Sequence, residues 1–391
     1  QAYDRGEWAD ATALFQQADG EVTLAPSDLE ALVWAAGICA QDHVMLAALE
    51  RLYAHHDAAG DHEQSARAAF WSGLRNMLIG EVGLGSGWLQ RAARHAELTA
   101  PECVQRGYLL LPQVHMQRGR GEYEAAIDTA DRAIAIGEGG GEPDLVALAG
   151  SAKGGILFRL GRIEEGYVPI DEAMLLANSG RLSPIVSGVV YCEIVANCCR
   201  VMEMARAREW TAILTEWCRR NPQAKAFNGV CQVHRAEVLQ LEGHWHEAFA
   251  EAERATKGLS GTSERTAMAT AAYRRGEILR LQGDFERSDE EYRLAGESGI
   301  DPQPGLALLQ LAQGRGEEAR AAILRALEGT EDTSRRAVLL PAGIDILIAC
   351  DDVEKAEAYC REIAQIARTY GTEILSCVAD QARGSVALAR S

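Results

Sequence analysis

At 391 residues, with 47% hydrophobic and 25% charged side chains, the chain has the make-up of a folded soluble protein. Its 57 acidic residues outnumber 39 basic ones, and a net charge of -18 repels phosphate backbones and anionic lipid, which excludes nucleic-acid binding by the chain itself and membrane binding. No apolar run is long enough to span a bilayer, the segment after Gln1 lacks the regions of a signal peptide, and the ten cysteines sit in apolar stretches such as Cys198-Cys199, so reduced thiols in a cytoplasmic protein are expected.

The apolar total leans on alanine, which loses no side-chain entropy in a helix, so the elements are expected to be helical throughout. Taken in order, Gly6-Glu7-Trp8 with Ala11 opens a pattern of glycine or a polar turn residue, then a large side chain, then a small residue three positions on. Ser27-Asp28-Leu29-Glu30 fits a capping box, and Trp34 and Trp71 fall on first helices of helix pairs. Weaker copies of the turn lie near Asp42, Ser86 and Arg208. His55-His56 with Asp57, Asp61 and His62 offers metal-ligand chemistry, but adjacent histidines point to different sides of a helix, so a solvated helix end and no metal are expected. Gly83-Leu84-Gly85-Ser86-Gly87 and Gly137-Glu138-Gly139-Gly140-Gly141-Glu142-Pro143 lack the lysine of a phosphate-cradling loop, and the second reads as a linker between repeats. Pro101 suits a first helical position.

The pattern returns at Gly121-Glu122-Tyr123 with Ala126 and at Gly161-Arg162-Ile163 with Gly166. The β-branched run Ile185 to Tyr191 could form a strand, but a lone strand among helix pairs would leave its edge unpaired, so a helix is expected. Cys231 and His234 are neighbours on a helix, yet without an orienting third group they do not make a nucleophile pair. Val233 to Gly243 aligns with Tyr273 to Gly283, sharing arginine, glutamate, two leucines and glycine in register. Gly243-His244-Trp245 with Ala248 and Gly283-Asp284-Phe285 with Ser288 are further turns, where Gly276 lets a neighbouring helix approach, Gly283 ends the first helix, and Ser288, Tyr292 and Ala295 form the inward stripe of the second. Trp8, Trp88 and Trp245 are read as packing anchors of such turns. Asp301-Pro302 closes that unit, echoes follow at Gly314 and Asp351, and Ile374 to Arg390 reads as a first helix.

With a spacing of roughly 38 residues, the whole reads as an all-α, right-handed solenoid of antiparallel helix pairs: one continuous superhelix over 1–391 of about nine to ten units. Trp8 belongs to a unit whose first helix would lie upstream of Gln1, and the last first helix has no partner, so the chain is expected to be cut at both ends.

The glycine, alanine and aromatic positions resemble the tetratricopeptide repeat. More narrowly, Phe70-Trp71, Val233-His234-Arg235-Ala236-Glu237 and the stretch Asp301-Pro302-Gln303-Pro304-Gly305-Leu306-Ala307-Leu308-Leu309, continuing through Gln310 to Arg315, resemble the helical region of LuxR-type transcriptional regulators of high-GC bacteria. That resemblance implies a ligand- or partner-sensing array followed by a DNA-reading helix-turn-helix. The sequence contains no such helix-turn-helix, so DNA binding is implied for a parent protein only. First helices line the concave face of stacked pairs, which makes Trp71, Arg75, His115, Arg118, Tyr191, Glu193, Asn197, Arg200, His234, Glu237, Tyr273, Glu277 and Arg280 the candidate groove residues for a peptide, protein or small-molecule ligand. No cofactor and no catalysis are expected. A stand-alone scaffold for protein partners is the rival reading, and an enzyme in a helical cradle the third.

Overall fold

The computed structural model describes residues 1–3, 5–259 and 265–390, and among these every regular element is an α-helix. Helix α1 (Trp8–Glu21) leads into antiparallel hairpins: α2 (Pro26–Ile38) with α3 (Asp42–Ala59), α4 (His62–Leu78) with α5 (Val82–Glu97), and the broken helix α6 (Val104–Tyr108) and α7 (Leu110–Gly119) with α8 (Tyr123–Gly140). Then come α9 (Pro143–Arg159) with α10 (Ile163–Asn178), α11 (Pro184–Arg200) with α12 (Met204–Arg220), and α13 (Lys225–Leu241) with α14 (Trp245–Leu259). Three more follow, α15 (Arg265–Gln282) with α16 (Phe285–Glu297), α17 (Gly305–Ala312) with α18 (Gly316–Glu328), and α19 (Thr333–Ala349) with α20 (Val353–Tyr370), before α21 (Glu373–Ala389) packs on α19 and α20.

One local device makes each hairpin. A residue in the left-handed region ends the first helix at Ala40, Gly80, Gly121, Gly161, Met202, Gly243, Gly283, Gly314 and Asp351, Gly6 takes the same conformation before α1, and from Ala40 to Gly283 these positions stand 40 or 41 residues apart. The next amide reaches back five residues, Arg162 N–H to the Leu157 carbonyl at 2.9 Å and Asp284 N–H to the Leu279 carbonyl at 3.0 Å, which satisfies carbonyls the helix end would leave open. The second helix starts two residues after the turn, and its fourth residue lies against a backbone carbonyl of the first helix at Gly85, Gly166 and Ser288. A methyl group on Gly166 would stand 3.1 Å from the Gly154 carbonyl and 2.5 Å from the Phe158 ring. Ser288 donates its hydroxyl to the Gly276 carbonyl at 2.8 Å, while Tyr292 and Ala295 are buried beside it.

Several sequence expectations need correcting. Pro26 is the first residue of α2, Ala25 is its N-cap without a side-chain bond, and Ser27 lies inside the helix, so no capping box forms. Pro101 falls in a turn before α6. The run from Gly137 is helical through Gly140, leaving only Gly141 and Glu142 as the connection. Its glycines serve packing, because a methyl on Gly140 would meet Val104 at 2.3 Å and one on Gly137 would meet Val146 at 2.9 Å. The weak turns near Asp42 and Arg208 are Ala40-Gln41-Asp42 and Met202-Glu203-Met204, hidden because no glycine marks them; the one near Ser86 is Gly80-Glu81-Val82, and the glycines around Ser86 belong to α5. Trp245 is 37% exposed and anchors nothing deep, whereas Trp88 is half-buried edge-on to Tyr53 with ring centroids 5.1 Å apart. The β-branched run from Ile185, by contrast, is helical as expected, within α11.

First helices of successive hairpins also pack directly on one another, α7 on α9, α9 on α11, α11 on α13, α13 on α15 and α15 on α17, while second helices touch chiefly the first helices flanking them. This asymmetry bends the stack with first helices inside. The bend brings the chain back onto itself. Gln223 accepts from the Ala9 amide at 2.7 Å across 214 residues, and Thr372 donates to the Val201 carbonyl at 3.2 Å across 171. Tyr370 donates to the Arg159 carbonyl at 3.4 Å across 211, and Arg159 pairs with Asp332 across 173. Trp8, Ala35, Ile38 and Ala224 share one apolar cluster flanked by Ile185, Trp217 and Phe227, so this seam has a core of its own.

Gly161 serves both the hairpin and the seam, since a methyl there would stand 2.6 Å from Thr369 in a backbone with φ of 75°. Gly161→Ala is therefore expected to lower stability by more than the ~1–2 kcal/mol that left-handed backbone alone costs an L-residue. Ala40→Gly, at φ of 57°, is expected to raise stability by about 0.5–1 kcal/mol. Thermal unfolding of the two variants beside the parent checks both signs.

Candidate ligand-binding site

Two regions of the inner wall carry chemistry. The first is a cavity of about 170 Å³ lined by Tyr3, Trp8, Trp34, Ile38, Arg67, Trp71, Tyr108, Glu142, Asp144, Ser183, Pro184 and Ile185. It lies among the first helices α2, α4, α6, α9 and α11 beside Trp8 of α1, where α2 and α11 meet across the seam. Pro112 explains the break between α6 and α7: its ring opposes the carbonyl four residues back, that of Tyr108, and it has no amide to donate. The break turns Tyr108 into the cavity wall, where its hydroxyl donates to Glu142 Oε1 at 2.8 Å. Trp34 stands edge-on to Trp71 at 5.1 Å, Phe70 lies 5.4 Å from Trp71 and 5.3 Å from Tyr108, and Tyr3 lies edge-on to Trp8 at 5.2 Å. Arg67 donates to Glu30 at 2.6 Å with its guanidinium 5.8 Å from the Trp34 ring centre. Asp144 accepts from the Ser183 amide at 2.8 Å; burial, opposed by that bond and reinforced by the Glu142 charge, raises its pKa above the ordinary carboxylate value.

The second region is polar and runs along α7, α9, α11, α13 and α15. Glu193 lies 3.7 Å from Arg118 and accepts from the Ser151 hydroxyl at 3.1 Å. Arg200 donates to Asn197 at 2.7 Å, and burial, then the like charges of Arg159 and Arg118, make its guanidinium less basic than usual. His115 is exposed on the inner face, although the protein packed around it pushes its pKa down. Further along, Glu237 pairs with Arg274, whose guanidinium sits 5.6 Å from the Tyr273 ring centre. Glu277 takes the Tyr292 hydroxyl and lies 3.4 Å from Arg280. His234 is pushed down by burial, with Nδ1 lacking a protein partner among the described residues.

The structure distributes the sequence-chosen residues unevenly. His115, Arg118, Glu193 and Arg200 form one cluster, and His234, Glu237, Tyr273, Glu277 and Arg280 line the next. Trp71, 7% exposed, belongs to the aromatic cavity, and Arg75 binds Asp42 at 2.6 Å at the start of α3. Tyr191 leaves the groove: it is 2% exposed, its hydroxyl donates to Asn178 at 2.7 Å, and its ring faces Trp217. Two residues along a helix turn the side chain by about 200°, so Tyr191 and Glu193 cannot share a face. Asn197 is buried against Gly155, where a methyl would stand 2.5 Å from its amide nitrogen. Sequence reasoning missed Arg67, Tyr108, Glu142, Asp144, Arg159, Arg274 and Asp332. The Glu-Pro-Asp opening of α9 and the proline four residues after Tyr108 were the available signals.

Among the described residues no three His, Cys, Asp or Glu side chains are placed to hold a metal ion, and no helix is long and apolar enough to cross a membrane. Cys231 lies 3.8 Å from the Thr215 hydroxyl.

Stacked antiparallel hairpins with inner first helices define the class: the chain is an α-solenoid of tetratricopeptide-like type. No family model matches it, and no curated protein does. Among solved structures it is similar to a monomeric mutant of IFIT1 with m7Gppp-AAAA, at 12% identity and a TM-score of 0.45 over 97% of this chain and 94% of that one. It is also similar to yeast Tom70, at 12% identity and a TM-score of 0.40 over 100% and 94%, and to the APC/C hetero-tetramer Cut9-Hcn1, at 10% and 0.31 over 99% and 92%. These are tetratricopeptide-type helical-repeat proteins.

The enclosed histidines give stability a pH dependence. His95, His115 and His234 all have depressed pKa values, burial being the first cause in each. Their contribution is present above the ordinary imidazole value of about 6.5 and is lost as pH falls toward the depressed folded values, because the unfolded chain then binds more protons. Asp144 and Asp345, both raised by burial, act with the opposite sign, their contribution falling as pH rises above the ordinary carboxylate value. The urea midpoint is therefore expected to fall between pH 7.5 and pH 5.5, and His234→Gln to flatten that fall. A midpoint that rises on acidification contradicts the assignment.

Proposed function

We propose that the chain is a non-catalytic binding module, the sensor region of a LuxR-type transcriptional regulator acting in the cytoplasm. The observation that carries the binding part is the inner wall. Arginine, glutamate, histidine and tyrosine side chains on successive first helices reach solvent from a wall of packed protein, and His234 is shifted by that partial enclosure. Groups held in place and partly stripped of water interact strongly with an incoming partner, because the local dielectric is low and little ordering remains to be done. The regulator part rests on the sequence likeness around Phe70-Trp71, Val233 to Glu237 and Asp301 to Arg315.

The mechanism follows from the seam. A ligand that bridges first helices several hairpins apart favours one winding over another, and the bonds of Ala9 to Gln223, Arg159 to Asp332 and Thr372 to Val201 sense that winding. A change in winding would pass to an attached DNA-reading domain. A second reading, a free-standing scaffold for extended peptides, is favoured by the alternation of Arg118, Glu193, Arg200, Glu237, Arg274, Glu277 and Arg280, which suits a partner carrying both signs of charge.

Native mass spectrometry of the purified chain is expected to show a co-purifying small molecule or peptide. Glu237→Gln with Tyr273→Phe, which keep shape and remove charge or hydroxyl, are expected to weaken its retention by roughly tenfold, the worth of one charge-assisted hydrogen bond. Unchanged retention discards the inner wall as the site. Coding sequence that stops at residue 391 without a basic helix-turn-helix favours the scaffold over the regulator.

A further inference from the structure

The aromatic cavity holds more negative charge than its protein neighbours neutralise. Among the described residues, the charged side chains in or beside it are Glu142, Asp144, Arg67 and, behind Arg67, Glu30. Arg67 is bound to Glu30 at 2.6 Å and acts on Asp144 through its charge alone, so among the described residues the hydrogen-bond donors to Glu142 and Asp144 are neutral, the Tyr108 hydroxyl and the Ser183 amide. Both carboxylates sit at the amino end of α9, where the helix dipole favours negative charge against the burial that raises the Asp144 pKa. The same wall holds the rings of Trp8, Trp34, Trp71 and Tyr108. Trp8 is 9% exposed, and its indole N–H has no protein acceptor among the described residues.

We propose that this cavity is a receptor for a small organic ammonium ion, resting on the reading of the chain as a binding module. The geometry supplies what such an ion requires. Two carboxylates neutralise its charge, π faces attract it where water is scarce, and the indole and Ile38 surfaces cover its alkyl groups. A carboxylate or phosphate ligand would instead face two like charges, and a neutral sugar would leave both carboxylates uncompensated. The volume suits a compact amine rather than a peptide. Because the wall runs through the first helices α2, α4, α6, α9 and α11, of which α2 and α11 meet across the seam, the occupant ties the two sides of that seam together. Ligand chemistry and winding thus meet at a single place.

Three tryptophans in the wall make the site its own probe. Titration of the full chain with choline is expected to give a saturable shift in tryptophan emission, at least roughly tenfold tighter than with 3,3-dimethyl-1-butanol, its uncharged carbon isostere. Asp144→Asn and Glu142→Gln are each expected to weaken choline binding by roughly tenfold while leaving the far-ultraviolet circular dichroism unchanged. Trp34→Phe, a milder change should either carboxylate variant fail to fold, is expected to lower affinity and part of the emission response. Equal binding of the isostere, displacement of choline by acetate or glucose, or no saturable response from the folded parent overturns the proposal. If ammonium probes fail while a co-purifying molecule is still lost from the Glu237→Gln and Tyr273→Phe variants, the cavity assignment falls and the binding-module reading stands. If both fail, the module reading falls with it.

Discussion

In the hairpins that meet at Gly85, Gly166 and Ser288 the second helix comes down against a backbone carbonyl of the first. Wherever the fourth residue of a second helix is glycine, alanine or serine, as at Gly166, Ala126, Ala248 and Ser288, the two helices close to a separation that larger residues would forbid. The left-handed residue seven positions after the contact point on the first helix aims the chain so that this meeting happens, and the amide after it recaptures a carbonyl five residues back. Close contact on the inner side and wider spacing outside then set the curvature. The seam, the inner wall and the aromatic cavity all follow from that bend.

The bend also governs the electrostatics. A chain with a net charge of -18 places several arginines on its inner face, and the arrangement persists because repeats answer one another. Arg235 binds Glu251 at 2.6 Å, and Arg275, one repeat later, binds Glu291 at 2.6 Å across the same pair of helices. Glu237 reaches forward to Arg274 on the next first helix, and Arg159 reaches across the seam to Asp332, which also caps α19. Such partly buried pairs contribute little net stability, since desolvation offsets their attraction, but losing one partner strands the other. Their effect is on register: they select which first helix lies beside which.

The seam differs from the repeat packing beneath it. Repeat contacts recur down the chain, whereas the seam joins residues roughly half the chain apart through a few bonds and the small apolar cluster around Trp8 and Ile38. Its local stability is set by fewer interactions than that of the hairpins, so it is the place where a bound molecule could shift the balance between windings.

The hairpins were legible in the sequence because their causes are local. Glycine at Gly121, Gly161, Gly243 and Gly283, a large residue two positions later and a small one three beyond are conditions a few adjacent residues satisfy alone, and the same locality made Gly276 and Ser288 readable as a contact pair. Turns built on Ala40 and Met202 were faint, because a left-handed backbone without glycine leaves no mark in composition. Residues of the inner wall were readable where helical phase alone decides, as with Glu237 and Glu277, and misplaced where a neighbouring helix claims the side chain, as with Tyr191 against Asn178 and Trp217. Only the tertiary structure could bring Trp8, Trp34, Trp71 and Tyr108 to the same cavity as Glu142 and Asp144. That meeting depends on the summed rotation of many small hairpin angles, and no stretch of neighbouring residues encodes the sum.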